Sequence, residues 1–251
     1  MSQALAEKVA LVTGGSRGIG RAVALKLARA GCDVAIAYHN SHEEAGAVCD
    51  EIRALGRRAL AIQADVSMPD SVAEAFDTFR GVFEKVDFVV SNAAIGVLKP
   101  ALELTLKHWR RCMETNALAL NLLAQQAVPM MPEGGRIIAL SSLGALRAIP
   151  QYAFIGASKA ALESLARSLA QELGPRGIRV NVVSAGVVDT DALKFFPNRE
   201  QLLSEYGRRA PAGPSLSPED VAGAVYLLCL PEAGKITGHT LVVDGGYCIS
   251  G

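Results

Sequence analysis

The chain has 251 residues, with 25 basic and 25 acidic side chains and a formal net charge of zero. Half of its residues are apolar. This length and composition are compatible with one large α/β domain or two small ones, each able to bury a core. A neutral balance disfavours a nucleic-acid or membrane-surface partner, because both normally require a basic excess. The composition therefore favours a protein that acts on a small molecule.

Short β-branched runs alternate with longer stretches of helical periodicity along the whole chain. Strands are predicted at Val9–Val12, Val34–Ala37, Leu60–Ile62, Phe88–Val90, Arg136–Leu140, Arg179–Val183 and Thr240–Val243. Helices are predicted at Gly18–Ala30, Glu43–Leu55, Ser71–Phe83, Lys107–Met131 and Ala157–Leu173. Parallel strands need crossover connections, so this alternation predicts one doubly wound parallel sheet of about seven strands, with helices on both faces.

No linker or repeat divides residues 1–251, which are predicted to form a single domain. The one irregular insert, Val187–Pro218, follows the sixth predicted strand and contains four prolines. In open α/β sheets, ligands bind beyond the carboxyl ends of the strands. The insert is therefore expected to cover a substrate as a lid.

The first predicted strand runs directly into a glycine-rich turn, Thr13–Gly20, that opens a helix. Glycines let peptide N–H groups approach a pyrophosphate, and the helix N-terminus favours its negative charge. This strand-turn-helix context predicts a dinucleotide site. The residues expected to contact the cofactor there are Gly14, Ser16, Arg17, Gly18, Ile19 and Gly20.

The end of the second strand indicates which dinucleotide is bound. An NAD-binding protein usually places an acidic residue there, on the ribose 2′-hydroxyl. This chain instead reads Tyr38-His39-Asn40-Ser41-His42, with no carboxylate to repel a 2′-phosphate. Arg17 can donate to that phosphate, although a solvated loop charge is the alternative. NADPH is the predicted cofactor, with Tyr38, Asn40 and Ser41 at its 2′-phosphate side.

The turns after the third and fourth strands add further cofactor candidates. Asp65 and Val66 could seat the adenine, and Asn92, Ala93 and Ala94 would place small side chains against the cofactor. Asp and Asn are also ordinary turn residues, so each signal is weak alone. The predicted cofactor site is completed after the sixth strand by Gly186, Val188 and Thr190.

Tyr152 stands seven residues before Lys159 at the start of a predicted helix. Two side chains at this spacing lie near one helical face, about two turns and roughly 10 Å apart. A phenol can donate a proton to a developing oxyanion, and an ammonium makes a phenol easier to ionise. The alternative is a partly buried tyrosine beside a solvated lysine.

In order along the chain, these motifs resemble the short-chain dehydrogenase/reductase family. The matching residues are the Thr13–Gly20 turn, Asn92-Ala93-Ala94, Asn116, Ser141-Ser142, Lys159 and the closing stretch 238–246. The resemblance implies a Rossmann-type fold, a homotetramer, and catalytic roles for Ser142 and Asn116. For Ser142 an ordinary turn serine is an equal alternative. For Asn116 the alternatives are a catalytic water relay and a helix-kink clamp.

One departure from the family pattern is decisive. Most members carry Tyr-x3-Lys, but the position four before Lys159 is Ile155, which cannot donate a proton. Tyr152 gives Tyr-x6-Lys, the spacing of the enoyl-acyl-carrier-protein reductase branch. The stretches 92–100, 141–144 and 189–194 are similar to its FabL type. That resemblance implies NADPH-dependent reduction of enoyl thioesters in fatty acid synthesis.

Chemistry gives the same interpretation of the displaced tyrosine. In ketone reduction the oxyanion forms beside the carbon that receives hydride. In enoyl thioester reduction, hydride attacks the β-carbon and charge collects on the more distant thioester oxygen. A donor moved back along its helix can reach that oxygen. We therefore predict that Tyr152 donates a hydrogen bond to the enolate oxygen. Lys159 is predicted to hold the nicotinamide ribose and to favour ionisation of the phenol through its charge.

Two other functions remain open from the sequence. A carbonyl reductase acting on a ketone or polyketide would use Tyr152 through an altered helix start, or no protein acid. A catalytically silent NADPH-binding protein is the second alternative, because Ile155 occupies the usual position of the phenol.

The remaining sequence features concern partners and location. Acyl carrier protein is acidic, so the cations in or beside the insert are candidate docking residues, with coenzyme A as the alternative carrier. These cations are Lys194, Arg199, Arg208 and Arg209. The four histidines and five scattered cysteines suggest neither a metal site nor disulfides, and the N-terminus lacks signal-peptide blocks. A cytoplasmic protein without a membrane partner is expected, and apolar residues on several faces of two long helices predict subunit packing.

Overall fold

The computed structural model describes residues 3–190, 193–194 and 199–250. Its centre is a seven-stranded parallel sheet in the order β3-β2-β1-β4-β5-β6-β7. The strands are β1 (Val9–Thr13), β2 (Asp33–Tyr38), β3 (Ala59–Gln63), β4 (Phe88–Ser91), β5 (Arg136–Ser142), β6 (Arg179–Ala185) and β7 (Thr240–Val243). All seven predicted strands are present, and the predicted fold class is confirmed.

Helices cover both faces of this sheet. They are α1 (Gly18–Arg29), α2 (His42–Ala54), α3 (Pro69–Arg80), α4 (Leu106–Cys112), α5 (Ala119–Ala127), α6 (Ala153–Leu173), α7 (Arg199–Arg209) and α8 (Pro218–Cys229). One apolar core joins α1, α2 and α8 to one face, and a second joins α3, α5 and α6 to the other. In β1, Leu11 faces the second core and Val12 the first, because successive strand residues point to opposite faces.

Two helical regions differ from the sequence predictions. The predicted helix Lys107–Met131 is interrupted by a π-helical segment, Met113–Leu118, between α4 and α5. The insert, predicted to be irregular, contains helix α7, and its Val188 pairs with Leu216 as an isolated parallel bridge. Residues 191–192 and 195–198, which include part of the FabL-like stretch and of the proposed lid, lie outside the described residues.

Strand order determines where the turns meet. Because β2 and β3 lie on one side of β1 and β4 lies on the other, the chain reverses its winding direction between β3 and β4, and a crevice opens at the carboxyl ends of β1 and β4. The register pairs Val12 with Val90, so the glycine turn after β1 lies directly beside the turn after β4. The ends of β5 and β6 follow at the same edge, where Ser142 is paired with Ala185.

Candidate active site

The glycine turn after β1 has the backbone and packing that a phosphate cradle requires. Gly14 and Gly18 have φ values of +63° and +53°, which favour glycine. A Cβ atom on Gly20 would lie 2.1 Å from the Gly14 carbonyl oxygen, so α1 packs directly on the turn. Arg17 precedes α1 and provides no side-chain cap for its first N–H groups. These free donors at a helix N-terminus fit a bound pyrophosphate.

Asn92 supports the glycine turn from β4. Its side-chain amide donates to the carbonyl oxygens of Thr13 at 2.9 Å and Gly14 at 3.2 Å. The Thr13 hydroxyl in turn accepts hydrogen bonds from the backbone N–H groups of Asn92 and Ala93, both at 3.0 Å. The predicted cofactor residue Asn92 therefore shapes the site by holding the turn, and Ala94 is exposed beside it.

The predicted 2′-phosphate region is divided between core and surface. Tyr38 is buried, and its hydroxyl lies 2.6 Å from Nδ1 of His42. Asn40 is exposed and Ser41 is half-buried, so both remain accessible beyond β2. Arg17 is also exposed, at the start of α1.

Asp65 holds its own turn after β3. Its carboxylate accepts hydrogen bonds from the Ser67 hydroxyl at 2.6 Å and from the Ser67 backbone N–H at 3.0 Å. Burial acts to raise the pKa of Asp65, but these hydrogen bonds outweigh it and the net pKa is lowered. The carboxyl group therefore stays ionised at neutral pH, and the neighbouring Val66 is buried.

The stretch after β6 returns to the glycine turn. A Cβ atom on Gly18 would lie 3.7 Å from Cγ2 of Thr190, and both residues line a cleft of about 340 Å³. Lys194 and Arg199 from the insert line the same cleft, and Arg199 donates to Asp189 at 2.8 Å. Gly186 packs against Asp244, and Val188 is buried. The described part of the insert thus faces the predicted cofactor site.

Tyr152 is the residue that immediately precedes α6, and its side chain points to the end of β5. Its hydroxyl donates to Oγ of Ser142 at 3.2 Å. The structure thus brings together two of the predicted catalytic residues. The extra turn of chain between Tyr152 and Lys159 does not carry the phenol away from this serine.

Two glycines make room for the Tyr152 ring. A Cβ atom on Gly144 would lie 2.5 Å from Cε1 of the ring. A Cβ atom on Gly156 would lie 2.6 Å from the carbonyl oxygen of Gly144, so Gly156 lets α6 approach that loop closely. We call Gly144 and Gly156 the glycine pair. The ring can occupy its position because Gly144 carries no side chain, and Gly156 in turn lets α6 lie against the Gly144 loop.

Ile155 occupies the family position of the catalytic phenol. Its side chain is buried and packs on Gly96, where an added Cβ atom would lie 2.3 Å from Cδ1 of Ile155. The apolar side chain fills this space. Gly96 thus accommodates Ile155 as the glycine pair accommodates Tyr152.

The phenol of Tyr152 is a protonated donor at neutral pH. Burial raises the pKa of Tyr152 above its ordinary value, and the hydrogen bond to Ser142 offsets this rise only in part. The Lys159 ammonium donates to the Leu140 carbonyl oxygen, 2.7 Å away. Its effect on the ionisation of the phenol stays a prediction.

Lys159 lies in the interior of α6 with 6 % of its surface exposed. Burial lowers the pKa of Lys159 to about 8, and the nearby carboxylate of Glu163 acts in the opposite direction. The side chain therefore carries its charge at neutral pH and loses it as the pH rises through about 8.

Asn116 lies in the π-helical segment and joins three parts of the fold. Its Oδ1 atom accepts from the Ile95 backbone N–H at 2.8 Å. Its Nδ2 atom donates to the Ile95 carbonyl at 2.9 Å and to the Ser158 hydroxyl at 2.9 Å. These hydrogen bonds are the ones expected of a helix-kink clamp. The alternative role of Asn116 in a catalytic water relay stays a prediction.

An aromatic pair lies beside Tyr152. Phe154, the second residue of α6, contacts Trp109 of α4 edge to face, with ring centroids 5.2 Å apart. Trp109 is the only tryptophan of the chain and is 38 % exposed. The start of α6 is therefore tied to α4 by an aromatic contact.

The predicted docking cations have different surroundings. Arg209 donates to Glu205 at 3.1 Å and to the Ser250 carbonyl at 2.7 Å, and it stacks on Tyr247. These contacts tie Arg209 to the C-terminal stretch, and its docking role stays a prediction. Arg208 is exposed.

Over the described residues, no three His, Cys, Asp or Glu side chains come together as a metal site. All five cysteines are free, and four of them are buried. No helix in the described part of the chain has the length and apolarity to cross a membrane.

Comparison with known proteins places this site in a family. A family model described as "Enoyl-(Acyl carrier protein) reductase" matches residues 14–248. A short-chain dehydrogenase from Burkholderia cenocepacia, solved in complex with NADP, superposes with a TM-score of 0.90 and 40% identity, over 97% of this chain and 99% of that one. The chain belongs to the short-chain dehydrogenase/reductase family.

Two curated members of the short-chain dehydrogenase/reductase family are similar over nearly the whole chain. The "1-cyclohexenylcarbonyl-CoA reductase" of Streptomyces collinus is 42% identical over 244 residues, which cover 96% of this chain and 87% of that protein. The "Hydroxynaphthalene reductase-like protein Arp2" of Metarhizium brunneum is 36% identical over 256 residues, which cover 97% and 96%. The predicted family resemblance is confirmed.

Sequence reasoning missed several residues that shape the site of this short-chain dehydrogenase/reductase. Gly96 and the glycine pair were not assigned a role, nor was Thr13, which holds the turn after β4. Gly156 carried a usable signal, because glycine inside a helix costs about 1 kcal/mol relative to alanine and calls for a packing reason. The other contacts depend on tertiary geometry.

Proposed function

We propose that this protein reduces the carbon–carbon double bond of an enoyl thioester with NADPH. The observation that carries the proposal is the Tyr152 phenol, placed 3.2 Å from Ser142 while Ile155 fills the usual position of the family's acid. The acid thus reaches the serine from one helical turn earlier. From this position the phenol can donate to a substrate oxygen beside Ser142, and in an enoyl thioester we propose that this is the thioester oxygen.

NADPH, when bound, supplies a hydride to the β-carbon of the substrate. The electron pair of the double bond then moves toward the thioester, and negative charge develops on its oxygen. The Tyr152 hydroxyl is neutral and donates a hydrogen bond to this oxygen, with Ser142 beside it. A proton taken up from water at the α-carbon would complete the saturated thioester. Lys159 would hold the ribose of the cofactor through its ammonium group.

The choice of cofactor draws on the site and on a relative. The end of β2 carries no carboxylate against a 2′-phosphate, and Arg17 is exposed at the start of α1. The related Burkholderia cenocepacia structure is a complex with NADP. Both observations favour NADPH over NADH.

The choice of substrate class draws on the curated relatives. The Streptomyces collinus protein is named for a cyclohexenylcarbonyl thioester of coenzyme A, and the matching family model is described for an acyl-carrier-protein substrate. Each description contains an enoyl thioester. We propose this shared substrate, with coenzyme A or acyl carrier protein as carrier and fatty acid synthesis as the FabL-like assignment.

The insert is proposed to act as the lid of this reaction. Thr190, Lys194 and Arg199 line the cleft beside Gly18 of the glycine turn. Closure there would exclude water from the reduced cofactor and the thioester. Residues 1–251 would then act as one domain with a covering insert.

A carbonyl reductase is the second candidate. The contact between Tyr152 and Ser142 also presents two hydroxyl groups that suit the oxyanion of a reduced ketone. The Metarhizium brunneum relative is named for a hydroxynaphthalene rather than a thioester. A catalytically silent NADPH-binding protein is the third possibility to be tested.

The deciding experiment is a side-by-side assay of crotonyl and acetoacetyl thioesters, each with NADPH and with NADH. Faster oxidation of NADPH with the crotonyl thioester, and formation of the butyryl product by mass spectrometry, is the expected result. Faster turnover of the acetoacetyl thioester would contradict the enoyl reductase and support the carbonyl reductase. Tight NADPH binding with no turnover on either substrate would indicate the silent protein.

A further inference from the structure

A buried carboxylate lies beneath the site without a part in the proposed reaction. Glu163 of α6 has 5 % of its surface exposed. The Ser141 hydroxyl donates to its Oε1 atom at 2.6 Å, and the Thr240 hydroxyl donates to Oε2 at 3.5 Å. Carboxylates are almost never fully buried without partners. This one is held by hydroxyl groups from β5 and β7.

Glu163 stands one helical turn after Lys159 on the same helix. Side chains four residues apart are neighbours on a helix, with about 5–6 Å between their Cβ atoms. The Lys159 ammonium donates to the carbonyl oxygen of Leu140, which directly precedes Ser141 in β5. The end of β5 therefore holds both the cation and, through the next residue, the carboxylate.

We propose that Glu163 is a positioning residue that keeps buried Lys159 in its ammonium form, with Ser141 and Thr240 fixing the carboxylate in place. The inference deepens the proposed function and rests on it for the use that the reaction makes of Lys159. Glu163 itself contacts neither the substrate nor the reacting atoms.

The charges around Lys159 support this assignment. Burial lowers the pKa of Lys159 to about 8, and Glu163 is the charged group that raises it. The other titratable group at this end of β5 is the Tyr152 phenol, which is neutral and bonded to Ser142. The Asp244 carboxylate, beyond β7, accepts hydrogen bonds from the backbone N–H groups of Gly246 and Cys248.

Loss of the carboxylate should therefore make Lys159 easier to deprotonate. An opposite charge at this range changes a pKa by about one unit or more. In the native enzyme, activity and NADPH affinity should fall as the pH rises through about 8, where Lys159 loses its proton. Without Glu163 the same fall should begin at lower pH.

The test is Glu163→Gln, compared with Glu172→Gln as a matched control. Glu172 is exposed on the same helix, so this control removes the same charge without altering the buried group. Crotonyl thioester turnover and the NADPH dissociation constant are both measured from pH 6 to 9. In Glu163→Gln, the pH above which activity and NADPH affinity fall (the basic limb) should be lower by about one unit. At pH 8 the variant would then hold about fivefold less Lys159 in the ammonium form. Glu172→Gln should leave both limbs in place.

Two further variants keep the test decisive. Glu163→Asp retains the charge and should keep the basic limb closer to pH 8 than Glu163→Gln does. Glu163→Met removes the charge with an apolar side chain of similar volume, so it can fold where Gln does not. Unshifted limbs in the folded neutral variants, or failure of both variants to fold, would assign Glu163 a purely structural role and overturn the inference.

The two proposals fail in distinguishable ways. Wild-type protein that turns over neither thioester but shows a shifted NADPH-affinity limb in Glu163→Gln would refute the enoyl reductase and retain the role of Glu163. Normal crotonyl turnover, with unshifted limbs in Glu163→Gln, would retain the enoyl reductase and refute the role of Glu163.

Discussion

Three consecutive residues at the end of β5 serve three different groups. The Leu140 carbonyl accepts from Lys159, the Ser141 hydroxyl donates to Glu163, and Ser142 accepts from Tyr152. Successive side chains of a strand point to opposite faces, so the two serines diverge. The Ser-Ser pair that the sequence offered as either functional or a turn element therefore makes two separate contacts within the site.

At the residue scale, replacing Tyr152 tests the acid. Tyr152→Phe should retain NADPH affinity and lower kcat for the crotonyl thioester by about 10²–10³, as expected when one donor to an oxyanion is lost. Steady-state kinetics and a cofactor titration measure the two effects. Tyr226→Phe is the control, because Tyr226 lies on α8, where Lys26 covers its ring. A Tyr152→Phe enzyme with undiminished kcat would remove the phenol from the mechanism.

The chemistry-bearing residues were recoverable from spacing, but their contacts were not. Tyr152, Ser142 and Lys159 are recognisable as a set from the sequence alone. The sequence does not show that burial raises the pKa of Tyr152, because burial depends on how α6 packs. Nor does the sequence show that Tyr38, predicted at the cofactor, is buried with its hydroxyl beside His42.

At the scale of elements, helix α6 and the segment before it position the reacting groups. The π-helical segment places Asn116 against both Ile95 and Ser158 of α6. Such segments are rare and frequently occur at functional sites. Periodicity predicted one continuous helix there, since one extra residue in a turn hardly changes an apolar pattern.

The glycine pair yields a prediction about α6 that separates propensity from packing. Gly156→Ala and Gly223→Ala both replace a glycine inside a helix, and propensity alone would stabilise each by about 0.5–1 kcal/mol. Gly223 has open space around its Cβ position, whereas a Cβ on Gly156 would collide with the Gly144 carbonyl. We expect Gly223→Ala to stabilise the protein and Gly156→Ala to destabilise it by about 1–3 kcal/mol.

Denaturant unfolding measures both free energies. Because the Gly144 loop also borders the Tyr152 ring, Gly156→Ala should in addition lower kcat, while Gly223→Ala should not. Equal stabilisation of the two variants would show that the glycine pair does not constrain the site.

At the scale of the whole molecule, the sheet was predictable because every strand is a short apolar run between helices. Helix α7 was not predicted, since its residues are mostly polar and it follows a proline-containing stretch. Helix α8 did carry a missed signal: Ser217 and Asp220 form a capping box at its start. How the insert meets the glycine turn depends on long-range contacts that no local pattern encodes.

Carrier recognition is also a property of the whole surface. If acyl carrier protein is the carrier, reversing the exposed Arg208 with Arg208→Glu should raise KM for the carrier-bound substrate by about tenfold and leave KM for a small thioester unchanged. Arg29→Glu, an exposed cation in the last turn of α1, is the control. Equal effects of Arg208→Glu on the two substrates would exclude a docking role.

The edge-to-face contact between Trp109 and Phe154 gives the molecule an intrinsic optical reporter. With a single indole in the chain, the emission comes from Trp109 alone, in contact with Phe154, which lies two residues after the phenol at the start of α6. Any ligand that reorders this helix start changes the polarity around a ring already partly in water. Acyl-group binding can therefore be followed by tryptophan fluorescence, without a label.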